Sequence, residues 1–312
     1  MYENPTLAIV GAGAMGSLFG GLLAEGGLDV TLVDVWQEHV DNINRDGLKI
    51  VGYGGDRFVP VKATTQPEAL APVDTVFVQC KAGYTRDAIA GAANLIGDHT
   101  AVISFQNGLG NEELLAELIG EEKVLGGLTA QGASMDGPGI VRNYADLPSH
   151  IGEMRGGLSD RVTGLSHVFT KYGLQTEPSH DIRLDIWKKL VANVGLDPTS
   201  GITNLPIGRV MVVPAMRETI FAAIDEAAAV GRKVGVAIDI NEACEVLLQI
   251  TGKGGTGMNK SSLCNDILSC RQTEIDFING AIVRLGTEHG VPTPVNKTLI
   301  AAVKALESHY LA

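Results

Sequence analysis

A glycine-rich turn near the start of the chain has the residue types and spacing of a phosphate-binding loop. An apolar run, Leu7–Val10, leads directly into a G-x-G-x-x-G hexapeptide. The hexapeptide consists of Gly11, Ala12, Gly13, Ala14, Met15 and Gly16. In such a strand–turn–helix unit the first glycine permits a sharp turn, the second lets the backbone approach a phosphate, and the third lets the helix pack on the strand. The helix N-terminus then directs its N–H groups at the anion. The pattern predicts a binding site for the pyrophosphate of a dinucleotide.

An acidic residue stands where such a unit contacts ribose. The strand-like segment 29–33 is followed by Asp34, eighteen residues after Gly16. Its carboxylate would accept hydrogen bonds from a ribose 2′-hydroxyl. Asp34 has a compatible second role as the N-cap of a helix around residues 35–41.

The second half of the chain carries polar residues that could hold a substrate and supply a proton. Lys189 and Asn193 share one helix face because they are four residues apart. Asp197 falls on the same side one turn later if the helix continues through Gly195 and Pro198. By itself, a lysine and an asparagine at this spacing are ordinarily part of a solvated helix face.

Two further segments add polar groups. The Gln106–Gly108 turn directly follows a predicted strand, and parallel sheets bind ligands at the carboxyl ends of their strands. The Lys260–Ser262 segment leads into a predicted helix that carries Asp266, Arg271 and Glu274.

The elements that must position these residues change in type along the chain. The first half alternates apolar strands with amphipathic helices, which predicts an α/β fold with a Rossmann-type doubly wound parallel sheet. The second half has long helical patterns and predicts a smaller, all-α domain. Gly173 and Pro178 interrupt the chain between them, so we expect a dinucleotide-binding domain over 1–178 and a helical substrate domain over 179–312.

Apolar periodicity gives the individual elements. The predicted strands are 6–10, 29–34, 74–80, 101–105 and 124–128, with late antiparallel strands at 139–142 and 150–153 along one edge. The predicted helices are 15–26, 85–96, 111–119, 183–195, 214–235, 240–250, 263–287 and 295–309.

Composition excludes several classes of protein. A net charge of −12 over 312 residues, with no basic stretch, argues against a nucleic-acid partner. No apolar segment approaches the ~20 residues that span a bilayer, and the first residues do not form a signal peptide. The four cysteines and seven histidines lack metal-ligand spacing, so we expect free thiols, no metal and a cytoplasmic location.

Taken together, these segments resemble the ketopantoate reductases (2-dehydropantoate 2-reductases) from about residue 6 to residue 300. The matching segments are the glycine turn, Cys80-Lys81-Ala82, Asn107-Gly108, Trp187-x-Lys189-Leu190-x-x-Asn193, Ser261-Ser262 and Arg271-x-Thr273-Glu274-Ile275-Asp276-x-x-Asn279-Gly280. The family reduces the keto group of a 2-oxo acid with a nicotinamide cofactor, usually NADPH, in pantothenate biosynthesis.

The resemblance implies roles for single residues. Lys189 and Glu274 are then catalytic, with Lys189 stabilising the oxyanion formed by hydride transfer and donating the proton. Glu274 would orient Lys189 or bind a substrate hydroxyl; an ion pair with Arg271 is the alternative. The other implied positions are Asn107, where nicotinamide and substrate meet, Asn193 and Ser262, at the substrate, and Lys81, near the ribose and phosphate of the cofactor.

Two residues depart from the family pattern. Asp197 stands where the family usually has asparagine, and a carboxylate there would repel a substrate carboxylate and favour a hydroxyl or ammonium donor. Asp34 stands where NADPH-dependent members have a basic or neutral residue, and its charge would repel a 2′-phosphate. We therefore expect an NAD(P)H enzyme that prefers NADH and has Asp197 in its substrate site.

Three functions are compatible with these residues. The first is reduction of a small 2-oxo acid of the ketopantoate type, with Lys189 as general acid. The second is a sister NAD-dependent dehydrogenase that acts on a different hydroxylated or polar 2-oxo acid. The third is a regulator that binds nicotinamide without chemistry, which the presence of a proton donor argues against.

Two segments outside these motifs are open to more than one interpretation. The glycine-rich segment 252–260 is either a lid over the substrate or a solvated loop. The small-residue face of 214–235 suits the domain core, with a homodimer interface as the alternative.

Overall fold

The computed structural model describes residues 4–252 and 257–311. The chain divides into two compact units, which are described separately. Unit 1 comprises residues 1–106 and 111–182, and unit 2 comprises residues 107–110 and 183–312. The predicted order of an α/β half followed by an all-helical half is confirmed.

Among the described residues the strands all lie in unit 1, and the helices are divided between the two units. The strands are β1 (Leu7–Val10), β2 (Val30–Val33), β3 (Leu48–Gly52), β4 (Arg57–Val59), β5 (Lys62–Thr64), β6 (Val73–Val78), β7 (Ile96–Ser104), β8 (Val124–Thr129), β9 (Ala133–Gly137), β10 (Ile140–Asn143), β11 (Ser149–Glu153) and β12 (Thr176–Pro178). The helices are α1 (Ala14–Glu25), α2 (Gln37–Asp46), α3 (Thr85–Gly91), α4 (Asn111–Ile119), α5 (Asp160–Lys171), α6 (Ile182–Thr203), α7 (Ile207–Met211), α8 (Pro214–Lys233), α9 (Ile240–Thr251), α10 (Ser262–Leu268), α11 (Asn279–Glu288) and α12 (Pro294–Glu307).

The main sheet of unit 1 has the strand order β12-β11-β8-β7-β6-β1-β2-β5. Its six strands from β8 to β5 are mutually parallel, β11 runs antiparallel to β8, and β12 forms the far edge beside β11. The strands β6, β1 and β2 are neighbours in matched register, with Val10 beside both Val33 and Val78. Their carboxyl ends therefore lie side by side.

A second sheet, of order β4-β3-β10-β9, corrects one prediction. The segment 139–142 was expected at the edge of the main sheet, but as β10 it pairs with β3 and β9 instead. Val141 on β10 is fully buried in the same apolar cluster as Ile50 on β3 and Leu18 on α1. Burial against α1 therefore explains why this strand lies in the second sheet.

Both faces of the central strands are buried, as parallel sheets require. On β1, Leu7 and Ile9 join the apolar cluster with Phe19 of α1, whereas Ala8 and Val10 join the cluster on the opposite face. This two-sided burial fixes the position of the chain at the carboxyl end of β1, where the glycine turn begins.

In unit 2, α6 is longer than the predicted helix 183–195, because it continues through Gly195 and Pro198 to Thr203. A side chain on Gly195 would place its Cβ 2.7 Å from Ile220 Cγ2 on α8, so this glycine allows α6 and α8 to pack closely. The small-residue face of α8 is buried in the core of unit 2, with Ala227 and Ala228 fully buried.

The predicted helix 263–287 is wrong as a single element. The chain forms α10 and α11 there, separated by a turn segment over residues 269–278. Cys270 adopts a left-handed φ of 53°, which is incompatible with a continuing right-handed helix. Arg271 and Glu274 therefore lie in the turn segment and not on a helix.

Within the described residues, no helix is both long and apolar enough to cross a membrane. Of the glycine-rich segment 252–260, residues 253–256 lie outside the described residues. The interpretation of this segment as a lid therefore stays a prediction.

Candidate active site

The glycine turn joins β1 to α1, and its three glycines have the separate roles that their spacing predicts. Gly11 has a φ of +98°, and a Cβ on it would lie 2.3 Å from the backbone nitrogen of Cys80. A Cβ on Gly16 would lie 2.0 Å from the carbonyl oxygen of Gly11. Around the Cβ position of Gly13, by contrast, no atom lies within 4 Å. Two glycines are required by the fold, and the third leaves open space beside the backbone.

Gly13 is also the N-cap of α1, and it gives the first helical turn no side-chain acceptor. A helix N-terminus with a glycine cap and open space beside it is suited to an anion, because backbone N–H groups and the helix dipole both favour negative charge there. These features fit a dinucleotide pyrophosphate.

A buried histidine stabilises this turn through a hydrogen bond to Ser17. The Ser17 hydroxyl donates to the carbonyl oxygen of Ala12 at 2.7 Å and lies 3.1 Å from His39 Nε2. His39 Nδ1 accepts from the backbone N–H of Gly139 at 2.8 Å, so Nε2 carries the proton and donates to Ser17. Burial lowers the pKa of His39, which keeps the ring neutral in this role. Nothing in the spacing of the histidines pointed to this function.

Asp34 and Lys81 follow the strands on either side of β1, namely β2 and β6. Asp34 does not cap a helix, contrary to expectation: α2 starts at Gln37, with Trp36 at the N-cap position. Its Oδ1 instead accepts from the Trp36 backbone N–H at 2.9 Å, an Asx turn that holds the half-buried carboxylate in place. Lys81 is half-buried and starts the short turn after β6.

Unit 2 brings together three of the predicted residues, which come from distant parts of the chain. Lys189 Nζ donates to Asn107 Oδ1 at 3.0 Å. The Asn107 Nδ2 group donates to Glu274 Oε2 at 3.5 Å. The amide therefore links an ammonium group to a carboxylate, and Glu274 is itself buried.

Residues 107–110 belong to unit 2 although the chain on both sides belongs to unit 1. The backbone N–H of Leu109 donates to the Phe277 carbonyl oxygen at 2.8 Å. Gly108 has a φ of +95°, and a Cβ there would lie 2.3 Å from the same oxygen. This close backbone contact fixes Asn107 against the turn segment that carries Glu274.

The environment of Lys189 changes its acidity. Burial lowers the pKa of this lysine below its ordinary value, while the charges of Asp197 and Glu274 oppose that shift. Asp197 is buried two turns after Lys189 on α6. An ammonium group with a lowered pKa and a hydrogen-bonded position is a competent proton donor.

The remaining two predicted residues lie on α6 and α10. Asn193 is half-buried one turn after Lys189, and Ser262 is the exposed first residue of α10. The serine that sequence analysis did not select, Ser261, is the N-cap of α10 and donates to the Asp197 carbonyl oxygen at 3.1 Å. The N-cap pattern of two serines before an apolar run was the available signal.

Arg271, the alternative partner for Glu274, has a carboxylate partner on α10. Arg271 Nη2 lies 3.3 Å from Asp266 Oδ1, so the arginine forms its ion pair with α10. Across the part of the chain that the structure describes, no group of three or more histidine, cysteine, aspartate or glutamate residues is arranged to hold a metal ion.

Comparison with known proteins gives the family. The model of the family "Ketopantoate reductase PanE/ApbA" matches residues 7–156, and that of its C-terminal region matches residues 181–307. A 2-dehydropantoate 2-reductase of Pyrococcus horikoshii is 35% identical over 300 residues, covering 96% of this chain and 97% of the relative. One from Halobacterium salinarum is 30% identical over 299 residues, with the same coverage.

Solved structures of the same fold include reductases and a dehydrogenase. A PanE/ApbA family ketopantoate reductase from Ralstonia eutropha has a TM-score of 0.90 and 29% identity, covering 98% of this chain and 100% of its own. A ternary structure of D-mandelate dehydrogenase with NADH and anilino(oxo)acetate has a TM-score of 0.92 and 27% identity, covering 98% and 99%. The chain therefore belongs to the ketopantoate reductase PanE/ApbA family and is an oxidoreductase of that family.

Proposed function

We propose that this protein reduces a small 2-oxo acid to the 2-hydroxy acid with NAD(P)H, using Lys189 as the general acid. The observation that carries the proposal is the hydrogen bond between Lys189 and Asn107, continued from Asn107 to Glu274. A desolvated ammonium group that donates to an amide and feels the charge of two carboxylates has the chemistry of a proton donor to a developing alkoxide.

The glycine turn would hold the dinucleotide in unit 1. Open space at Gly13 and the uncapped start of α1 favour a pyrophosphate there, and Lys81 would lie toward the ribose and phosphate. Asp34 favours NADH, because its carboxylate suits a ribose 2′-hydroxyl and opposes a 2′-phosphate. The D-mandelate dehydrogenase of the same fold was solved with NADH.

The reaction divides between cofactor and protein. A bound nicotinamide would supply the hydride for reduction of the substrate carbonyl. Lys189 Nζ hydrogen-bonds the carbonyl oxygen, stabilises the negative charge that builds on it, and donates the proton that completes the hydroxyl group. A lysine with a lowered pKa can release this proton, whereas an arginine cannot.

The neighbouring residues position this proton donor and the substrate. Asn107 would hold Lys189 through its Oδ1 and keep Glu274 in place through its Nδ2. Glu274 would keep Lys189 charged and oriented, or accept from a substrate hydroxyl. Asn193 and Ser262 would contact polar groups of the substrate without adding charge.

Asp197 favours a second candidate, a sister dehydrogenase on the same scaffold. A buried carboxylate close enough to influence Lys189 would repel a nearby substrate carboxylate and favour a hydroxyl or ammonium donor. The 2-oxo acid analogue in the D-mandelate dehydrogenase structure carries an aromatic group, so this fold also accommodates substrates unlike ketopantoate.

A substrate panel tests both candidates. Purified protein with NADH or NADPH is given ketopantoate, simple aliphatic, hydroxylated and aryl 2-oxo acids, and each is scored by kcat/KM. The highest kcat/KM for ketopantoate supports the first candidate, and the lowest kcat/KM for ketopantoate supports the second. The Asp197→Asn variant should raise kcat/KM for ketopantoate if the carboxylate excludes it. Tight NADH binding without turnover of any acid would contradict both and favour a regulator.

A further inference from the structure

A proline inside α6 leaves one backbone carbonyl without its helical donor. Pro198 has no N–H, so it cannot donate to the carbonyl oxygen of Val194 four residues earlier. Val194 is fully buried, and a buried carbonyl without a partner costs free energy. The helix nevertheless continues to Thr203.

A side chain from another helix supplies the missing donor. Asn279, the first residue of α11, donates through Nδ2 to the Val194 carbonyl oxygen at 2.8 Å. The same Nδ2 group donates to Asn296 Oδ1 at 2.9 Å. Both asparagines are fully buried in unit 2.

The orientation of this amide is fixed from the far end. Asn296 Nδ2 donates to Glu226 Oε2 at 2.7 Å and to the Ala223 carbonyl oxygen at 3.1 Å. Because the partners of this nitrogen can only accept, Asn296 must present its oxygen to Asn279. Asn279 in turn must present its nitrogen to Val194. Glu226, Asn296 and Asn279 thus form a polar relay that ends on α6.

The relay contacts α6 between two of the proposed site residues. Val194 directly follows Asn193, and Asp197 directly precedes Pro198. The backbone between Asn193 and Asp197 therefore depends on the bond that Asn279 makes. We propose that Asn279 is a positioning residue, which repairs the break at Pro198 and thereby holds Asp197 in place two turns after Lys189 on α6. The inference rests on the proposed function of Lys189.

A contribution to stability alone is the competing explanation, and Pro198 allows the two to be separated. In a Pro198→Ala variant the backbone N–H at position 198 can donate to Val194, so the helix no longer needs the amide. Asn279→Leu alone leaves the Val194 carbonyl oxygen without a donor. In the double variant Asn279→Leu/Pro198→Ala the side-chain donor is also gone, but the backbone N–H at position 198 takes its place. The pair is thus a double-mutant cycle for this one bond.

The experiment measures kcat/KM against pH for wild type, both single variants and the double variant. Asn279→Leu should lower kcat/KM at least about tenfold and move the high-pH limb to lower pH, since displacing Asp197 weakens the charge that raises the pKa of Lys189. Pro198→Ala should stay within about threefold of wild type, and the double variant should recover to the same level. Leu299→Ala, which removes buried volume from α12, is the control for destabilisation alone.

A double variant as impaired as Asn279→Leu, or an Asn279→Leu variant that behaves like the Leu299→Ala control with an unshifted pH limb, overturns the proposal. Should Asn279→Leu not fold, Glu226→Gln loosens only the far end of the relay and takes its place. If the wild type turns over no 2-oxo acid, the proposed function fails by itself. The pKa of Lys189, measured by NMR in the same four proteins, then still tests whether Asn279 positions Asp197.

Discussion

Lys189 Nζ and Asn107 Oδ1 lie 3.0 Å apart, although 82 positions separate the two residues in the sequence. The asparagine reaches the lysine because residues 107–110 leave unit 1 and pack with unit 2. Their hydrogen bond gives the ammonium group a fixed direction, and burial lowers its pKa; the proposed proton transfer requires both.

Replacement of Lys189 tests its role directly. Lys189→Ala should lower kcat by at least about 100-fold while leaving NADH affinity nearly unchanged, because it removes a positioned acid and not a cofactor contact. The matched control is Lys188→Ala, since Lys188 is exposed and pairs with Glu242 at 2.8 Å. Steady-state kinetics and NADH fluorescence titration measure the two quantities. Normal turnover by Lys189→Ala would remove this residue from the mechanism.

The activity should fall as pH rises through the pKa of Lys189, because the acid must be protonated to donate. Burial lowers that pKa, so the fall should begin below the ordinary range for lysine. Asp197→Asn removes a charge that raises the pKa, and the limb should move to lower pH. Asp276→Asn, which removes an exposed carboxylate paired with Lys304, should not move it. A limb that moves to higher pH in Asp197→Asn contradicts this account.

Asp34 should set the choice between the two nicotinamide cofactors. Asp34→Arg should raise the ratio of kcat/KM for NADPH over NADH by at least about tenfold, because a guanidinium can pair with the 2′-phosphate. Asp34→Asn keeps an acceptor for the Trp36 N–H and so separates the effect of charge from that of the turn. An unchanged ratio in Asp34→Arg would show that this residue does not face the ribose.

Two neighbouring glycines should respond differently to the same substitution. Gly11→Ala should lower Tm by at least about 5 °C, because position 11 has a positive φ and its Cβ would lie 2.3 Å from a backbone atom. Gly13→Ala should leave Tm within about 2 °C, because its Cβ meets only open space in the fold. The same substitution should raise the KM for the cofactor about tenfold, because the Cβ would keep the backbone from approaching the pyrophosphate. Calorimetry and kinetics together check the pair. A normal cofactor KM in Gly13→Ala would argue against a phosphate at this turn.

Glu112, at the start of α4, should make the stability of the protein depend on pH. Burial raises the pKa of this carboxyl to about 8, while a hydrogen bond with Ser104 opposes the shift. The folded state then holds a proton that the unfolded state releases above its ordinary pKa of 4.5. The associated stability is complete below pH 4.5 and is lost as pH rises to about 8, a change of at most roughly 5 kcal/mol.

Urea unfolding at several pH values measures this dependence. Glu112→Gln cannot titrate and should flatten the curve between these two pH values, whereas Glu113→Gln, at the exposed neighbouring position, should not. An equally steep curve in Glu112→Gln would assign the dependence to another group.

The long-range order of the fold could be predicted because its elements repeat a strong local pattern. β1, β2, β6 and β7 are apolar runs buried on both faces, and such runs are visible in sequence. The strands β4, β5 and β12 have three residues each, too few for periodicity to separate them from loops.

The wrong bounds of the predicted helices in unit 2 have a different origin. Apolar residues at 275, 278 and 282 continue a helical spacing across the turn segment, so periodicity could not reveal the break that Cys270 makes with its positive φ. Conversely, Pro198 suggested a helix end that does not occur, because Asn279 compensates for the missing donor. In both places a tertiary interaction or a single backbone angle overrides the local signal.

The segment 107–110 has a practical consequence for dividing this protein. Because those four residues belong to unit 2 while their flanking chain belongs to unit 1, no single cut separates the units. A fragment that starts at residue 183 lacks the amide that holds the lysine and the backbone N–H that satisfies the Phe277 carbonyl. A chimera that grafts these helices onto another nucleotide-binding half must therefore import the tetrapeptide as well, or it will carry an acid with no fixed direction.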